Sequence, residues 1–491
     1  MDNQLNIFDV MYPKYKITKP IRLIELFAGY GSQALALKYL GISFEHWKIC
    51  EWAVKSIQAY KDIHFTDVNE DRNKNFKVED IRKHLYNLGI SSNYNEPMTK
   101  QQIDRLSEKQ VRQIHNNICI TNNLVNIQQA KGKDLEIEDI DKYDYILTYS
   151  FPCQDLSLAG KGKGMSDTTT RSGMLWEVER ILTECYELKK LPQILLMENV
   201  PQIHNQDNIA DFHKWQVRLE ELGYKNYWQD LIATNYGIPQ TRNRCFMVSI
   251  LGDYSYTFPK PIPLKLKLKD MLEDNVDEKY YLSDKMIKYI YSDDNSGKYN
   301  RKTARESCDR SIEKGIAVTI TTTAGNRPTD NFIISKHLKE RLEQNNIENG
   351  VSFIDGYNKT IKNDGAIATL STKCPTSADK YICIKNGTKQ GYLEATDGDG
   401  IDLTRPNSDA RRGRVQKEAI QTLTTQNNLG VVNSDLRIRK LTPRECFRLM
   451  GVKDEDFDKV RKNQSDSSLY HLAGDSIVVN VLMTIFKEMI K

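Results

Sequence analysis

Between Ile21 and Leu251, short apolar runs of strand length alternate with segments that have helical spacing. Ile21–Phe27 has the composition of a buried strand that ends at glycines, and Ser32–Leu40 follows it with the spacing of a helix. The other strand candidates of this region are Tyr145–Tyr149, Ile194–Met197 and Cys245–Ile250. This alternation of strands and helices favours an α/β fold built on a parallel sheet.

One connection is much longer than such folds prefer. Glu70–Asp144 is polar and only partly helical, around Lys100–Ile114, so we interpret it as an insertion between two strands. A proline cluster at residues 259–263 then marks a domain boundary. From there to about Lys440 the strands are short and Thr, Asn and Gly are frequent, which predicts a separate lobe that is mostly β or irregular.

Helical character returns near the end of the chain. Thr442, Pro443 and Glu445 have the spacing of an N-cap, a first-turn proline and a capping-box glutamate, and Ser476–Ile490 is apolar and helical. We therefore predict three parts: residues 1–258 with the insertion at about 70–144, an inserted lobe at 259–436, and a return to the first domain at 437–491.

Charge and cysteine content exclude several protein classes. The net charge is only +4, but Tyr256–Lys440 carries 31 Lys and Arg against 25 Asp and Glu, a local net charge of +6, so any basic surface is local. Nine cysteines without a CxxC pair favour the reducing cytoplasm over a disulfide framework or a cysteine zinc site. The sequence has neither a run of 18 apolar residues nor the apolar core of a signal peptide. The abundance of Asn, Lys and Ile indicates a low-GC coding bias and a bacterial or phage origin.

A weak repeat occurs in the middle region. Ala317–Thr322, Ala368–Thr372 and Ala419–Thr425 are β-branched segments about fifty residues apart, each followed by a turn that contains Gly or Asn. Two interpretations stay open: the segments form ordinary β-hairpins, or their turns present Thr and Asn side chains to a ligand.

The first candidate site follows the first strand. Gly29 and Gly31 leave the strand and open a helix, so the backbone can turn tightly around a ligand, and Glu51 and Trp52 end the next apolar stretch. A carboxylate there suits ribose hydroxyls and an indole can stack on adenine. The third glycine of a dinucleotide fingerprint is missing, which argues against NAD. An ordinary turn with a surface glutamate and a packed tryptophan is the alternative.

The second candidate site follows the strand that ends at Tyr149. Cys153 lies in a Pro-Cys loop at the expected carboxyl edge of the sheet and is a candidate nucleophile, although most such cysteines are simply small buried residues. Lys161 and Lys163 lie in a glycine-rich loop that could close over a phosphate backbone, and Arg171 ends this loop.

Two further segments carry charge at strand ends. Glu198 leaves an apolar strand, so its pKa could be raised and it could donate a proton; a turn-capping role is the alternative. Arg242 and Arg244 alternate at the entry to another strand and should share one face. They could hold a phosphate or carbonyl oxygens, or form surface ion pairs.

As a set, these segments resemble the DNA (cytosine-5) methyltransferase family of bacterial and phage restriction–modification systems. The matching motifs are ELFAGYGS at 25–32, EW at 51–52, SFPCQDLS at 150–157, RSG at 171–173, ENV at 198–200, QTRNR at 240–244, RKLTPRECFRLMG at 439–451 and AGDSIVVNV at 473–481. The resemblance implies a Rossmann-like methyltransferase domain that depends on S-adenosylmethionine, with an inserted target-recognition lobe.

The resemblance also implies the roles of individual residues. A cytosine would be flipped out of duplex DNA, and the Cys153 thiolate would attack its carbon 6. Glu198 would activate ring nitrogen 3, Asn199 would position that carboxylate and the loop, Arg244 would hold the cytosine carbonyl oxygen, and Arg242 would support the loop and Glu198. Carbon 5 would then accept the methyl group and lose its proton to a base that the sequence does not identify, and no metal is expected.

The remaining assignments by resemblance concern cofactor and DNA. The expected cofactor residues are Phe27, Ala28, Gly29, Gly31, Ser32, Glu51, Trp52, Asn126, Pro152, Leu175, Asp475 and Ser476. The expected DNA contacts are Gln154, Ser157, Lys161, Lys163, Arg171, Gln240, Arg412, Arg414 and Thr422. Asn126 stands where the family usually has the Asp that accepts the adenine amino group, and Asp475 stands where it usually has Asn.

The expected partner is double-stranded DNA, and a separately encoded restriction endonuclease would fit a protein of this type. We expect a monomer that does not contact a membrane. Two alternatives remain open: a tRNA cytosine-5 methyltransferase of the same fold, and a DNA-binding homologue without catalysis. The large middle lobe disfavours the first, and the intact Cys153, Glu198, Arg242 and Arg244 disfavour the second.

Overall fold

The structure is a computed structural model. It describes residues 12–152, 172–281 and 438–490, together with short segments of the middle region at 353–355, 360–362, 382–385, 392–396, 398–402, 415–421 and 429–432.

A six-stranded sheet forms the centre of the first domain, in the order β2-β1-β3-β4-β6-β5. Its strands are β1 (Ile21–Leu26), β2 (Phe44–Cys50), β3 (Asp144–Tyr149), β4 (Ile194–Asn199), β5 (Tyr224–Ile232) and β6 (Asn243–Leu251). The predicted α/β class is confirmed, and the four predicted strands coincide with β1, β3, β4 and β6.

The expectation of a wholly parallel sheet is wrong at one strand. Neighbours among β2, β1, β3 and β4 pair in parallel, whereas β6 runs antiparallel to both β4 and β5. The physical reason is the short link at 233–242, which contains one short 3-10 helix, Ala233–Tyr236. A parallel crossover needs a dozen or more residues, so β6 returns beside β5 as a hairpin.

Helices cover both faces of this sheet. Those of the first domain are α1 (Ser32–Tyr39), α2 (Val54–His64), α3 (Val78–Leu88), α4 (Lys100–Asp104), α5 (Glu108–Ile120), α6 (Leu175–Glu187) and α7 (Ile209–Glu221). Those near the end of the chain are α8 (Pro443–Leu449), α9 (Asp454–Arg461), α10 (Asp466–Asp475) and α11 (Val479–Ile490). The helix predicted for Ser32–Leu40 is confirmed as α1.

Alternate residues of the buried strands pack into two separate hydrophobic cores, one on each face of the sheet. Leu23 and Leu196 face the core that α1 shares with the C-terminal helices, whereas Ile24 and Leu195 face the core formed with α6 and α7. Side chains on a strand point alternately to opposite faces, so a strand covered on both sides must be apolar throughout. This explains the continuous apolar runs in the sequence.

The insertion folds as a small helical unit. Helices α3, α4 and α5 pack around Ile81, Ile103 and Val111, and Ile57 of α2 joins the same cluster. The helical stretch expected at 100–114 is interrupted at 105–107, because Ser107 begins a new helix with its own capping box. The chain then returns to the sheet through a parallel bridge between Asn123 and Ile49, beside β2.

The described strands of the middle region are short, as predicted. They are β7 (Phe353–Asp355), β8 (Thr360–Lys362), β9 (Ile382–Lys385), β10 (Tyr392–Ala395), β11 (Gly400–Asp402), β12 (Val415–Gln416), β13 (Leu429–Val432) and β14 (Ile438–Lys440). Strands β12, β11, β13 and β14 form one antiparallel sheet in that order. In the repeat, Ile420 makes an isolated bridge to Gln240, whereas Ala317–Thr322 and Ala368–Thr372 lie outside the described residues.

The C-terminal part packs back onto the first domain. The capping box of Thr442 and Glu445 is present with Pro443 in the first turn, and α11 packs against α1. By length and composition alone, residues Asp466–Ile490 could span a membrane, but 67% of the most apolar window lies buried inside the protein, as in a core helix. The same core also contains residues from two parts of the middle region: Leu268 and Met271 near its start, and Ile420 near its end.

Candidate functional site

The carboxyl ends of β1, β2, β3 and β4 meet at one edge of the sheet, and β6 begins at the same edge because it is antiparallel. Loops that leave parallel strands at this edge form the usual ligand site of open α/β sheets. The first candidate site, Glu198 and the two arginines therefore converge here, together with Phe151 and Pro152 at the start of the loop after β3.

The loop after β1 has an unusual backbone. Phe27, Gly29 and Gly31 all have positive φ angles, of 57°, 56° and 82°. A Cβ on Gly31 would lie 2.4 Å from His64 Nε2, whereas a Cβ on Gly29 would meet nothing within 4 Å. Gly31 is thus needed for close packing, while Gly29 borders open space that a ligand can occupy. Ala28 and Ser32 are buried beside them.

Glu51 closes this loop. Its carboxylate accepts hydrogen bonds from the Gly29 amide at 2.9 Å and the Ala53 amide at 2.8 Å. Burial is the main cause that raises the pKa of Glu51 from its ordinary 4.5 to about 7, and nearby Asp475 adds to it. Two amide donors leave further lone pairs on this carboxylate for hydroxyl donors of a ligand.

Asn123 holds the main chain of Glu51, a role that the sequence did not suggest. Its side-chain oxygen accepts from the Glu51 amide at 3.0 Å, and its amide nitrogen donates to the Glu51 carbonyl at 2.8 Å. Only the return of the insertion to the sheet brings Asn123 here. Asn126 lies three residues further on, and its side-chain oxygen accepts from the Gln128 amide at 3.0 Å. A carbonyl oxygen has a second lone pair for another donor.

The insertion borders Trp52 and the C-terminal loop. The Trp52 carbonyl accepts from the Ser91 amide at 2.8 Å, and its indole packs against the core of the insertion. Tyr94 reaches across to His471, with ring centroids 3.8 Å apart. His471 Nε2 in turn lies 2.9 Å from Asp475 Oδ2. The loop around Tyr94 therefore links both sides of the candidate pocket.

Glu198 and Arg244 form a charged pair at the end of β4. Arg244 Nε lies 3.1 Å from Glu198 Oε1, and the side chains are 16% and 9% exposed. Burial raises the pKa of Glu198, although Arg244 and Arg242 both act to lower it. Glu198 is therefore easier to protonate than an ordinary surface glutamate.

Arg242 joins this site to the C-terminal loop. Its Nη2 donates to the Gly474 carbonyl at 3.1 Å and the Ser476 carbonyl at 2.7 Å. Ser476 is buried, and its hydroxyl donates to the Leu472 carbonyl at 2.6 Å. The loop of Asp475 and Ser476 is therefore fixed against the start of β6.

Asn199 connects β4 to the loop that follows β3. Its amide nitrogen donates to the Phe151 carbonyl at 3.1 Å, and its side-chain oxygen accepts from the Val200 amide at 2.8 Å. Pro152 follows Phe151 and is half-buried, and Leu175 is fully buried at the start of α6. Cys153, Gln154, Ser157, Lys161, Lys163, Arg171, Arg412, Arg414 and Thr422 lie outside the described residues.

Gln240 does not fit its expected role as a DNA contact. Its side chain is 0% exposed, and its amide nitrogen donates to the Leu449 carbonyl at 2.7 Å. The DNA contact was expected from the resemblance alone, and the C-terminal helices cover this loop instead. Gln240 therefore holds α8 against the entry to β6.

Known proteins resemble this chain over most of its length. Residues 86–491 match the family described as C-5 cytosine-specific DNA methylase. The chain is 30% identical over 477 residues to the type II methyltransferase M2.ScrFI of Lactococcus lactis subsp. cremoris, covering 96% of this chain and 99% of that protein. It is 35% identical over 278 residues to the orphan methyltransferase M.SssI of Spiroplasma monobiae, covering 55% and 69%. A solved methyltransferase of Entamoeba histolytica, EhMeth, aligns over 96% of this chain and 98% of its own at 14% identity and a TM-score of 0.47.

Proposed function

This chain belongs to the C-5 cytosine-specific DNA methylase family and is a DNA (cytosine-5) methyltransferase, and we propose that it methylates a flipped-out cytosine through a covalent bond to Cys153. The observation that carries this proposal is the buried Glu198–Arg244 pair, which lies next to Asn199 and its hydrogen bond to the loop that leads to Cys153. The pair supplies a protonatable group and a cation at the sheet edge where the loop that leads to Cys153 begins.

The pocket at the ends of β1 and β2 fits S-adenosylmethionine, which supplies an electrophilic methyl group when bound. Glu51 has lone pairs left for the two ribose hydroxyls, Gly29 borders open space, and Trp52 offers an indole face. Asn126 would accept from the adenine amino group. Phe27, Ser32, Pro152, Leu175 and Ser476 would complete the walls.

In the first chemical step, the Cys153 thiolate forms a bond to carbon 6 of the cytosine. Protonated Glu198 donates to ring nitrogen 3 as electrons move onto the ring, and Arg244 holds the carbonyl oxygen. An acid whose pKa is raised by burial is suited to this task, because it stays protonated at higher pH than an ordinary glutamate does.

In the second step, the electron pair made available at carbon 5 would take the methyl group, and the demethylated cofactor would leave as neutral S-adenosylhomocysteine. The proton on carbon 5 then leaves to a base, for which water would suffice, and its electron pair re-forms the ring double bond as the bond between sulfur and carbon 6 breaks. The thiolate is regenerated, and the Glu198 carboxylate takes back its proton from ring nitrogen 3. Asn199 and Arg242 act as positioning residues that hold the Cys153 loop and the C-terminal loop.

We further propose that residues 259–436 recognise the DNA sequence, with 1–258 and 437–491 forming the catalytic domain. The local charge of +6 in Tyr256–Lys440 favours this division. Arg412, Arg414 and Thr422 are the expected base or phosphate contacts, with Gln154, Ser157, Lys161, Lys163 and Arg171 on the catalytic side. The protein would work as a monomer in the cytoplasm, alongside a separately encoded restriction endonuclease.

The insertion has a proposed role as one wall of the cofactor pocket. Its return segment fixes the Glu51 main chain through Asn123, and its loop at residues 90–98 fixes Trp52 and places Tyr94 near Glu51 and Asp475. These contacts hold the main chain of Glu51 and the side chain of Trp52 in position.

Transfer of a labelled methyl group from S-adenosylmethionine tests the function directly. We expect incorporation into duplex DNA and none into tRNA of the same cells. Incorporation into tRNA alone would favour the tRNA methyltransferase, and tight DNA binding without any incorporation would favour a homologue that lacks catalysis. Sequencing the methylated positions would then give the recognition sequence.

A further inference from the structure

Three side chains of different chemistry converge on the face of the sheet opposite the Glu198–Arg244 pair. His204, Asp230 and Cys245 place one nitrogen, one oxygen and one sulfur atom within 4.8 Å of one another. His204 Nε2 lies 3.0 Å and 3.1 Å from the two carboxylate oxygens of Asp230. Among the described residues, no other group of three His, Cys, Asp or Glu side chains is as compact.

The sheet register explains why they meet. Cys245 on β6 pairs with Asp230 on β5 and with Asn199 on β4, so these three side chains share one face. Glu198 pairs with the next residue, Phe246, and so points to the other face with Arg244. His204 ends the short 3-10 helix Pro201–His204 that follows β4, which brings its ring over the same face.

Two of the three side chains are partly exposed, and the third is buried. Cys245 is 0% exposed, whereas the side chains of His204 and Asp230 are 25% and 31% exposed. The Trp228 ring lies beside His204 in a tilted contact, with ring centroids 4.9 Å apart, and Phe212 packs edge-on against Trp228. A small ion could thus enter past the imidazole and the carboxylate and reach a sulfur atom at the bottom.

We propose that His204, Asp230 and Cys245 form a binding site for one thiophilic divalent cation of the zinc class, with water as a fourth ligand. Zinc takes imidazole, carboxylate and thiolate ligands in a tetrahedral arrangement. Binding releases the thiol proton to solvent, and the two anionic ligands then balance the +2 charge of the ion. Hard cations such as Mg²⁺ and Ca²⁺ prefer oxygen ligands and would not compete.

The location gives the ion a structural consequence. A cation bound here joins the turn after Asn199 to both strands of the β5–β6 hairpin, and Asn199 holds the loop that leads to Cys153. The ion would therefore clamp the elements that carry Glu198, Arg244 and that loop, without touching the reacting groups. The alternative is a network held by the His204–Asp230 contact alone, with Cys245 as a small core residue.

Titration of the metal-free full-length protein with Co²⁺ distinguishes these alternatives. The experiment is done in a Cys153→Ser background, so that the proposed nucleophile cannot bind the probe. We expect a sulfur-to-cobalt charge-transfer band that saturates at one equivalent, quenching of Trp228 fluorescence, and displacement of Co²⁺ by Zn²⁺. Zn²⁺ should also raise the melting temperature by about 2 °C or more.

The variants fix the assignment to these residues. Cys245→Ala should remove the band, and His204→Gln and Asp230→Asn should each weaken cobalt binding about tenfold or more. Cys185→Ala is the matched control, because it removes another fully buried thiol, whose sulfur faces the Gly132 carbonyl, and should leave the band intact. Circular dichroism tests whether each variant folds. If Cys245→Ala does not fold, the cobalt affinities of His204→Gln and Asp230→Asn test the proposal instead. Absence of a band, or a band unchanged in all three variants, would overturn the proposal.

Discussion

Arg244 and Glu198 lie in neighbouring antiparallel strands and meet on one face of the sheet, with Arg244 Nε 3.1 Å from Glu198 Oε1. An arginine so close would normally lower the pKa of a carboxyl group. Here burial has the larger effect and the net shift is upward. The pair therefore combines a fixed positive charge with a carboxyl group that can still be protonated.

This balance predicts the pH dependence of methyl transfer. Glu198 must be protonated to donate a proton to the cytosine, so activity should fall as pH rises through its raised pKa. At low pH, protonation of the Cys153 thiolate should limit activity. Asp475 contributes to raising the pKa of Glu198. Asp475→Asn should therefore move the loss of rate at high pH to lower pH values. If the loss occurs at the same pH in this variant, protonation of Glu198 does not cause it.

Glu198→Gln tests the acid more directly. The amide keeps the shape and can still donate a hydrogen bond, but it cannot transfer a proton. We expect methyl transfer to slow by about 10²- to 10⁴-fold with DNA affinity largely retained, the range for loss of a positioned general acid. Single-turnover assays would measure the rate, and Glu45→Gln is the control, because Glu45 is an exposed residue of β2 paired with Arg22.

Cys153→Ser should abolish methyl transfer while DNA binding persists, because a hydroxyl is far less nucleophilic than a thiolate. DNA with 5-fluorocytosine at the target should trap the unsubstituted protein covalently, since fluorine cannot leave carbon 5 as a proton does. Denaturing electrophoresis would detect the adduct. Normal turnover by the serine variant would remove Cys153 from the nucleophile role.

Cofactor binding should release a proton at Glu51. Its pKa of about 7 means that the free protein holds this carboxyl mostly protonated below pH 7. Ribose hydroxyls that donate to the carboxylate favour the charged form, so binding lowers the pKa, and affinity should rise as pH increases towards 7. Calorimetry with S-adenosylhomocysteine in buffers of different ionisation enthalpy would count the protons. Glu51→Gln should abolish the release and Trp52→Ala should only weaken binding; equal proton counts in all three proteins would contradict the assignment.

Tyr94 tests whether the insertion belongs to the cofactor pocket. Tyr94→Ala removes the ring that packs at a tilt against His471 and should weaken S-adenosylhomocysteine binding about three- to tenfold, the size expected for one aromatic contact. DNA affinity should not change. Tyr86→Ala is the matched control, because Tyr86 lies on α3 of the same insertion and is 48% exposed. Equal effects of both variants would indicate general destabilisation of the insertion.

Arg412 and Arg414 are predicted to read or hold DNA from the middle lobe. If either binds a guanine through two hydrogen bonds, its replacement by alanine should cost about 1–3 kcal/mol and relax specificity at one position. If it binds only phosphate, all sequences should weaken alike and the salt dependence should become shallower. Mapping of 5-methylcytosine, paired with binding at two salt concentrations, distinguishes these outcomes. If alanine at both Arg412 and Arg414 leaves the methylation pattern, the methylation rate and the salt dependence of binding unchanged, the recognition segment lies elsewhere. The turns after Thr323 and Thr372 are then the next candidates.

The sequence was most informative where burial was complete. Strands β1, β3, β4 and β6 are nearly continuous apolar runs, and they were predicted close to their observed bounds. Strand β5 was missed because it lies at the sheet edge and its residues from Lys225 to Asp230 are exposed or half-buried. The direction of β6 depends on the length of the link that precedes it, which a strand pattern does not report.

Contacts between distant segments were the least predictable. Asn123 reaches Glu51 only because the insertion folds and returns to the sheet, and Cys245 meets Asp230 only through strand register. The resemblance placed Gln240 among the DNA contacts, and nothing in its local sequence indicates that α8 covers it. Local patterns therefore located strand ends and motifs, whereas pairing between remote segments determined their partners.

The packing of α11 on α1 also has a consequence for the order in which the protein is made. All six residues from Ser32 to Leu37 are buried, and the apolar ones share their core with Val481, Leu482 and Phe486. The ribosome synthesises α1 more than 400 residues before α11, which covers it, and Arg242 is made 232 and 234 residues before the Gly474 and Ser476 carbonyls that hold it. Until α11 and the loop before it are made, a nascent chain therefore carries an uncovered α1 and lacks the carbonyls that hold Arg242. Chains truncated before α11 should accordingly not methylate DNA, and ribosome-bound intermediates of that length should need chaperone protection.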